Sequence, residues 1–300
     1  MTSPSDIVFG AFIGDALALG PHWIYDQNEI RERLGRATTY QPPLAVYHQG
    51  KAAGDQTHYG DQALVLLRTI SKTGRFNLAG FAEDWRAYWE DPRTISYRDG
   101  ATKATLAHLS SEENPPSSSN DIAGAARIGP LFLLKWETEE ELLLAVRVQT
   151  AFTHGDPVVI ESALFFARVI LAVRSGDDME TALRKTIKHT TWHSIRKDWL
   201  DDALASAASD ETDAAALKRH GLTCHAVDAF PGICHLLLRH PTSPAEALIE
   251  NANAGGDSAA RGMILGMVYA AAFPVSDWPA DWLAGLNARE EITNLIGRLP

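Results

Sequence analysis

Four short polar segments carry the residue types that could do chemistry. They combine glycine with aspartate or histidine, and they occupy residues 14–26, 58–62, 153–157 and 253–262. Glycine and aspartate are common at helix ends, so each segment alone has an ordinary structural explanation. Helix ends also expose unpaired N–H groups, which favour anionic or polyhydroxyl ligands. A set of such ends that converges on one cleft would suit a ligand of that kind.

Other sequence patterns that mark catalytic or metal sites are incomplete in this chain. His189 and His193 have helical spacing, but the glutamate of a zinc protease is missing between them. Gly256 to Ala260 lacks the closing glycine of a nucleophile elbow. Cys224 and Cys234 are the only cysteines, and without a ligand pair at zinc spacing they favour packing in a reducing compartment.

Composition narrows the class of protein further. Of 300 residues, 45% are hydrophobic, whereas 38 acidic and 27 basic residues give a formal charge of -11. That balance leaves no basic surface for a phosphate backbone, so we expect no nucleic-acid partner. The longest apolar stretch of note, Gly262 to Ser276, is shorter than the roughly 20 residues of a bilayer span. We expect a cytoplasmic protein without a membrane partner.

Apolar residues recur at spacings of three and four, and strict alternation is nearly absent, which predicts an all-α fold. With no repeat and no long linker, we expect one domain over residues 1–300. A polar loop is expected at 112–120. Two segments, at 162–172 and 263–273, are apolar on nearly every face, so we expect them to form the core. The first predicted helix starts at Ser3-Pro4 or at Ser5, where serine and proline indicate a helix N-terminus, and continues through Asp6 to Leu19. The other predicted helices are Asn28–Leu34, Asp61–Lys72, Leu78–Glu90, Gly100–Ser110, Asp121–Lys135, Thr138–Ala151, Asp156–Val173, Met179–Lys188, Ile195–Ala208, Asp213–Arg219, Val227–Arg239, Pro244–Asn253, Asp257–Phe273 and Arg289–Leu299.

Several motifs together resemble the ADP-ribosylglycohydrolase family, which also contains dinitrogenase-reductase-activating glycohydrolases and J1-crystallins. They are Gly14–Leu17, Gly124–Leu131, Thr153–His154 and Asn253–Asp257, and the resemblance runs from Phe9 to the C-terminal region. It implies a single all-α domain. It also implies a cleft in which two magnesium ions hold ribose hydroxyls and activate water against an N- or O-glycosidic bond.

This chain departs from the family pattern at the metal ligands. His22 stands where the family has glutamate, and His58–Gln62 replaces a Thr-Asp-Asp-Thr run. Gly255–Ala260 keeps only the first acid of the family's Gly-Gly-Asp-Thr-Asp-Thr. The resemblance therefore leaves Asp61 and Asp257 as catalytic acids and metal ligands. We expect either no cofactor or one weakly bound Mg²⁺ in place of two.

The resemblance and the helix-end chemistry together indicate the ligand-binding residues. Arg261 follows Asp257 by four residues, so it either forms a helix-end ion pair or supplies positive charge where metals would sit. Asp99 either approaches the substrate or caps the next helix, and the loop from Tyr47 to His58 either covers the cleft or is a solvated connection. The candidate ligand-binding residues are Asp15, His22, Tyr97, Asp99, Gly124, His154, Gly255, Gly256, Ser258 and Arg261.

The sequence thus points first to a hydrolase that cleaves a glycosidic bond to ADP-ribose or a related ribosyl ligand, with an incomplete magnesium site. Loss of metal ligands favours the alternative, a crystallin-like or ADP-ribose-binding protein without activity. An acid retained in each key loop favours chemistry. A helical interaction scaffold is a weaker third hypothesis, because solenoid periodicity is missing.

Overall fold

Helices account for most of the computed structural model, which describes residues 2–109, 116–189 and 191–300. In these ranges the one extended pairing is an isolated bridge between Asp121 and His225. Short 3₁₀ helices form at Val46–His48, Gly129–Leu133 and Val275–Asp277. The α-helices are α1 Pro4–Leu19, α2 Gln27–Leu34, α3 His58–Thr73, α4 Leu78–Glu90, α5 Gly100–His108, α6 Ala123–Ala126, α7 Glu139–Thr153, α8 Pro157–Arg174, α9 Met179–His189, α10 Lys197–Ala207, α11 Asp213–His220, α12 Ala226–Arg239, α13 Pro244–Ala254, α14 Ser258–Ala272, α15 Ala280–Gly285 and α16 Arg289–Ile296.

The all-α prediction is confirmed, and the predicted helices agree with the observed ones with one exception. The segment predicted as a helix over Asp121–Lys135 instead forms the single turn of α6 and the 3₁₀ helix at Gly129–Leu133. Pro130 has no N–H to donate, and two glycines lie nearby, so a continuous α-helix is disfavoured there. Ser110 and the first part of the predicted 112–120 loop lie outside the described residues. No described helix combines the length and apolar composition of a membrane span.

The centre of the fold is the crossing of α1 and α14, where two pairs of glycines bring the helix backbones into contact. A Cβ on Gly14 would lie 2.0 Å from the carbonyl oxygen of Gly262, and a Cβ on Gly10 would lie 2.3 Å from that of Gly266. Side chains are therefore excluded at this crossing. The crossing fixes the C-terminal half of α1 against the N-terminal half of α14, which are the two elements that carry the Gly-Asp motifs.

Around this crossing, α8 and α14 form the core that the apolar segments predict. Met263 to Ala271 is buried without interruption. Phe165 and Phe166 of α8 pack on Phe230 of α12, with ring centroids 4.8 and 5.1 Å apart. The buried apolar residues form one continuous cluster, so the fold is a single compact domain.

Candidate active site

The turn that follows α1 is joined to the N-terminus of α14 by backbone hydrogen bonds. The Trp23 N–H donates to the Gly256 carbonyl, and the Gly256 N–H donates to the Ile24 carbonyl, both at 2.7 Å. Gly255 has φ +72°, and a Cβ there would lie 2.3 Å from the Ile24 carbonyl oxygen. Only glycine meets both conditions without strain. The retained Gly-Gly-Asp motif therefore has a structural purpose independent of any metal.

Trp23 adopts a strained backbone at this turn. Among the described residues it is the one non-glycine residue with positive φ, at 64°. Its indole Nε1 donates to Asp257 Oδ2 at 2.8 Å. Bulky residues seldom hold this conformation, and when they do the surroundings enforce it, often at functional sites. The strain here aims the indole N–H at the retained acid.

Asp257 is one of two buried carboxylates that share a single phenol. The Tyr59 hydroxyl lies 2.9 Å from Asp257 Oδ2 and 3.1 Å from Asp121 Oδ2. Burial raises the pKa of both carboxyls, and the charge of Asp257 raises that of Asp121 further. Asp257 Oδ1 has no hydrogen-bond partner. The pair therefore favours holding a proton, with one oxygen left for an incoming group.

Two of the other acids in the sequence prediction, Asp15 and Asp61, have both oxygens occupied. Thr57 donates its N–H to Asp15 Oδ2 at 2.7 Å and its hydroxyl to Asp15 Oδ1 at 2.6 Å. Burial raises the pKa of Asp15 to about 7, against these hydrogen bonds. Both oxygens of Asp61 accept from Lys51 Nζ, at 2.9 and 2.7 Å. Asp15 thus anchors the start of α3, and Asp61 anchors the loop that carries Lys51.

Three buried imidazoles converge beside these acids; we call His22, His48 and His58 the site histidines. Their exposed fractions are 0%, 1% and 0%. The His22 ring centroid lies 5.4 Å from that of His48 and 6.2 Å from that of His58. The indole of Trp23 stacks on His22 and His48, at 4.6 and 5.1 Å. The loop from Tyr47 to His58 therefore covers the site, since it supplies His48.

Tyr97 and Asp99 border the same group of rings. The Tyr97 ring lies edge-on to Trp23, with centroids 5.0 Å apart, and 5.5 Å from the ring of His58. Asp99 Oδ1 accepts from the Thr102 N–H at 2.6 Å, so Asp99 caps α5. Its other oxygen lies 3.4 Å from His58 Nε2. Asp99 therefore caps α5, as one of the two sequence interpretations has it, and also lies beside His58; its approach to a substrate stays a prediction.

Arg261 stabilises the glycine turn. It donates to the Gly255 carbonyl at 2.7 Å and to Asn251 Oδ1 at 3.0 Å. In the described residues no hydrogen bond or ion pair joins it to Asp257, although its charge opposes part of the rise that burial causes in the pKa of that carboxyl. The guanidinium is fully buried, and burial lowers its pKa to about 10. Ser258, which directly follows Asp257 in the sequence, is also buried, and its hydroxyl has no partner.

Gly124 and His154 belong to a neighbouring buried network. A Cβ on Gly124 would lie 2.9 Å from His154 Cγ, so the glycine lets the imidazole approach the backbone. His154 Nδ1 hydrogen-bonds the Thr153 hydroxyl at 2.8 Å. Arg127 donates to that hydroxyl and, at 3.0 Å, to Gln62 Oε1. The network thus reaches α3 one residue from Asp61.

The comparisons with known proteins agree with this architecture. The family model for ADP-ribosylglycohydrolase matches residues 6–300. The chain belongs to the ADP-ribosylglycohydrolase family. A solved "ADP-ribosylglycohydrolase-related protein complex" has the same fold, with a TM-score of 0.67 at 19% identity, covering 99% of this chain and 97% of that one.

Two curated relatives cover nearly the whole length. An ADP-ribosyl-[dinitrogen reductase] glycohydrolase from Rhodospirillum rubrum is 23% identical, over 97% of this chain and 94% of the relative. Crystallin J1B from Tripedalia cystophora is 22% identical, over 94% of this chain and 92% of the relative. The similarity therefore extends to a named glycohydrolase and to a named lens protein at almost the same level.

The donor atoms of this ADP-ribosylglycohydrolase family member do not suit two magnesium ions. Magnesium takes oxygen ligands in octahedral geometry. Lys51 occupies both oxygens of Asp61, and Trp23 and Tyr59 occupy one oxygen of Asp257. Two groups of described side chains do bring donor atoms within 4.8 Å of one another: the site histidines, and Asp121 with Cys224 and Asp257.

Sequence reasoning missed several residues of this site. The sequence alone marks Tyr59 only as part of the 58–62 segment, Asp121 only as the start of a predicted helix, and Trp23 only as part of the 14–26 segment. The partners of Asp257 lie 234, 198 and 136 positions away, a separation that no local pattern reports. The sequence does contain one sign of the site histidines, because His22 and His58 lie at positions where the family pattern has other residues.

Proposed function

We propose that this protein hydrolyses the glycosidic bond of an ADP-ribosyl or related ribosyl ligand without a two-magnesium centre. The observation that carries the proposal is the pair of buried carboxylates, Asp121 and Asp257, on the single hydroxyl of Tyr59. Membership of the ADP-ribosylglycohydrolase family, and the similarity to a named glycohydrolase, support the substrate class.

Two carboxyls whose environments both favour protonation supply an acid and a base from one shared proton. In the proposal, ionised Asp257 uses its free Oδ1 to take a proton from water, which attacks the anomeric carbon. Protonated Asp121 gives its proton to the leaving nitrogen or oxygen as the glycosidic bond breaks. Trp23 and Tyr59 position the Asp257 carboxylate through its other oxygen.

Asp61 has a different part in this proposal from the one that the sequence suggested. Its two oxygens are held by Lys51, so its negative charge is balanced before any substrate arrives. The ion pair is only about a tenth exposed, and it fixes the loop that carries His48. We assign Asp61 to positioning the loop, and we expect its removal to reduce activity less than removal of Asp257.

A second candidate function, a binding or crystallin-like protein without activity, is favoured by how closed the site is. Asp257 is 2% exposed, and the Trp23 indole that donates to it packs against the rings of His22 and His58. A surface pocket of about 590 Å³ lies elsewhere, between α3 and α16. The similarity to crystallin J1B supports the same candidate.

The test is release of ADP-ribose from arginine-, serine- and O-acetyl-linked substrates by wild type and by Asp257→Asn, Asp121→Asn and Asp61→Asn. The first two should lose about 10²-fold or more in turnover, roughly 2.7 kcal/mol, because the amide cannot hold the proton. Asp61→Asn should lose less. Asp210→Asn, at an exposed site, is the matched control and should remain at the wild-type rate.

Two results would decide against the proposal. Activity that is lost on chelation and restored by magnesium alone would contradict a mechanism without the magnesium pair. Inactivity on every linkage, combined with measurable ADP-ribose binding, would establish the binding-protein candidate. If Arg261 contacts an anionic ligand, Arg261→Lys should recover part of the affinity that Arg261→Ala loses, since Lys keeps the charge and not the planar fork.

A further inference from the structure

The site histidines come from three separate elements and meet at one point. His22 lies in the turn after α1, His48 ends the 3₁₀ helix at Val46–His48, and His58 begins α3. One ring nitrogen from each lies within 4.8 Å of the others. Their separation in sequence excludes a local helical cause for the convergence, so the fold itself brings three imidazoles together.

Most of the nitrogens in this group have no hydrogen-bond partner. His22 Nε2, both ring nitrogens of His48 and Nδ1 of His58 are buried without a partner, whereas His58 Nε2 has an Asp99 oxygen at 3.4 Å. Leaving a buried polar atom without a partner costs about 1–3 kcal/mol. Four such atoms in one place are therefore a large cost that the fold retains. A metal ion that accepted a lone pair from one nitrogen of each ring would remove part of that cost.

We propose that His22, His48 and His58 bind one divalent transition-metal ion, and that zinc is the ion their chemistry favours. Neutral imidazole suits zinc and its neighbours in the first transition row, whereas magnesium prefers oxygen. Three protein nitrogens leave a fourth position of a tetrahedral ion open, as in zinc sites that hold water. This site is new relative to the carboxylate pair and does not depend on the proposed hydrolysis.

The surroundings supply what such a site needs. His22 and His48 are buried beside the Trp23 indole, and an imidazole binds a metal in its neutral form. The Asp99 oxygen 3.4 Å from His58 Nε2 is placed as the outer-shell carboxylate that orients a metal-bound imidazole. Trp23 stacks on two of the rings and fixes their planes.

Metal binding requires the three nitrogens to move closer together. A tetrahedral ion with Zn–N bonds of about 2.0–2.1 Å holds its nitrogens about 3.4 Å apart, so separations of up to 4.8 Å would have to shorten. If His22 binds through Nε2, its Nδ1 carries the proton, so the 3.3 Å contact from the Ala259 N–H to that atom is given up. We expect the segment of His48 to make the largest movement, because Val46 and Tyr47 beside it are 70% and 52% exposed.

The experiment is calorimetric titration of the metal-free full-length protein with Zn²⁺, Co²⁺ and Mg²⁺. We expect one zinc ion per chain, bound at least about 100-fold more tightly than magnesium. His48→Asn should weaken zinc by about 100-fold or more, and Asp99→Asn by about 10- to 100-fold. His225→Asn removes an exposed histidine outside this group and should leave zinc affinity unchanged.

Two further readouts keep the proposal testable if a variant folds poorly. Zinc should raise the unfolding temperature of the wild type and leave that of His48→Asn unchanged. Cobalt in the wild type should give the intense visible absorption of a tetrahedral nitrogen site rather than the weak bands of hydrated cobalt. Zinc affinity equal to that of magnesium, or equal in wild type and His48→Asn, would overturn the proposal.

Discussion

Among the described residues there are two groups of three histidines, and the groups differ in what their ring nitrogens contact. The second group, which we call the Asp213 network, surrounds one carboxylate. His235 and His240 each place Nε2 at 2.9 Å from an Asp213 oxygen. Ser206 Oγ lies 2.8 Å from His235 Nδ1 and 3.0 Å from His220 Nε2. The site histidines have fewer contacts: the Ala259 N–H lies 3.3 Å from His22 Nδ1, and an Asp99 oxygen lies 3.4 Å from His58 Nε2.

The contacts of the ring nitrogens show whether a buried histidine has a structural role or is a candidate ligand. In the Asp213 network, imidazoles that already have hydrogen-bond partners join α10, α11 and α12. The contribution of these hydrogen bonds to stability is enough to explain the network. The site histidines are more completely buried than His220 and His240, yet most of their ring nitrogens are unpaired, so stability does not explain them. Unpaired buried nitrogens distinguish a candidate ligand site from a structural network.

The largest expected effect on stability is in the Asp213 network. His235→Leu removes hydrogen bonds to both Asp213 and Ser206 and leaves the carboxylate partly unpaired, so the free energy of unfolding should fall by about 2–3 kcal/mol. Urea denaturation measures the change, with the exposed His225→Leu as control. A loss no greater than that of the control would show that the network does not stabilise the fold.

A smaller loss should follow from changing the acid alone. Asp213→Asn keeps the shape and one acceptor oxygen but loses the charge that faces His235, His240 and, at 3.9 Å, Arg239. We expect a decrease of about 1–2 kcal/mol in the free energy of unfolding near neutral pH. Zinc affinity should be unaffected, and a change in it would connect two groups that we treat as independent.

The corresponding change in the site histidines should have nearly no cost. His48→Leu replaces a ring that has no hydrogen bond with an apolar side chain of similar size. The free energy of unfolding of the metal-free protein should stay within about 1 kcal/mol of wild type or rise. Stabilisation by added zinc should disappear. A loss comparable to that of His235→Leu would show that His48 is a structural residue.

The smallest effect is a dependence of stability on acid pH. Burial raises the pKa of Asp213, but the hydrogen bonds and charges of His235 and His240 outweigh it, so the folded pKa lies below the ordinary 3.8. The unfolded chain therefore binds more protons below about pH 4, and this contribution is present above that pH and lost as pH falls. Unfolding measured from pH 6 to pH 3 should show a shallower decline in Asp213→Asn than in wild type.

Much of the fold could be predicted because its causes are local. Ser3 and Pro4 predict the start of α1, and Thr138 predicts that of α7, where its hydroxyl accepts from the Glu141 N–H at 3.2 Å. The prediction of a helix over Asp121–Lys135 was wrong, because Pro130 and the nearby glycines disfavour a helix that the apolar spacing alone would indicate. The glycine pairs that join α1 and α14 share a four-residue spacing, which a search for small residues could have found.

The candidate site was less predictable because it depends on long-range contacts. The sequence offered Asp257 and His22 as site residues, and the structure places both at the turn that Gly255 makes possible. Whether an acid is free or paired depends on a partner elsewhere, as Lys51 shows for Asp61. Likewise, only the fold reveals that His48 meets the other imidazoles, since nothing in its own segment marks it.

The most direct test of this account is an anomalous difference map from a crystal of the full-length protein grown with zinc, recorded at the zinc absorption edge. We expect a peak between His22, His48 and His58, at about 2.0–2.1 Å from one nitrogen of each ring. We expect no peak in the Asp213 network, whose imidazoles are already partnered. A peak beside Asp213 with none at the site histidines, or no peak at either group, would contradict it.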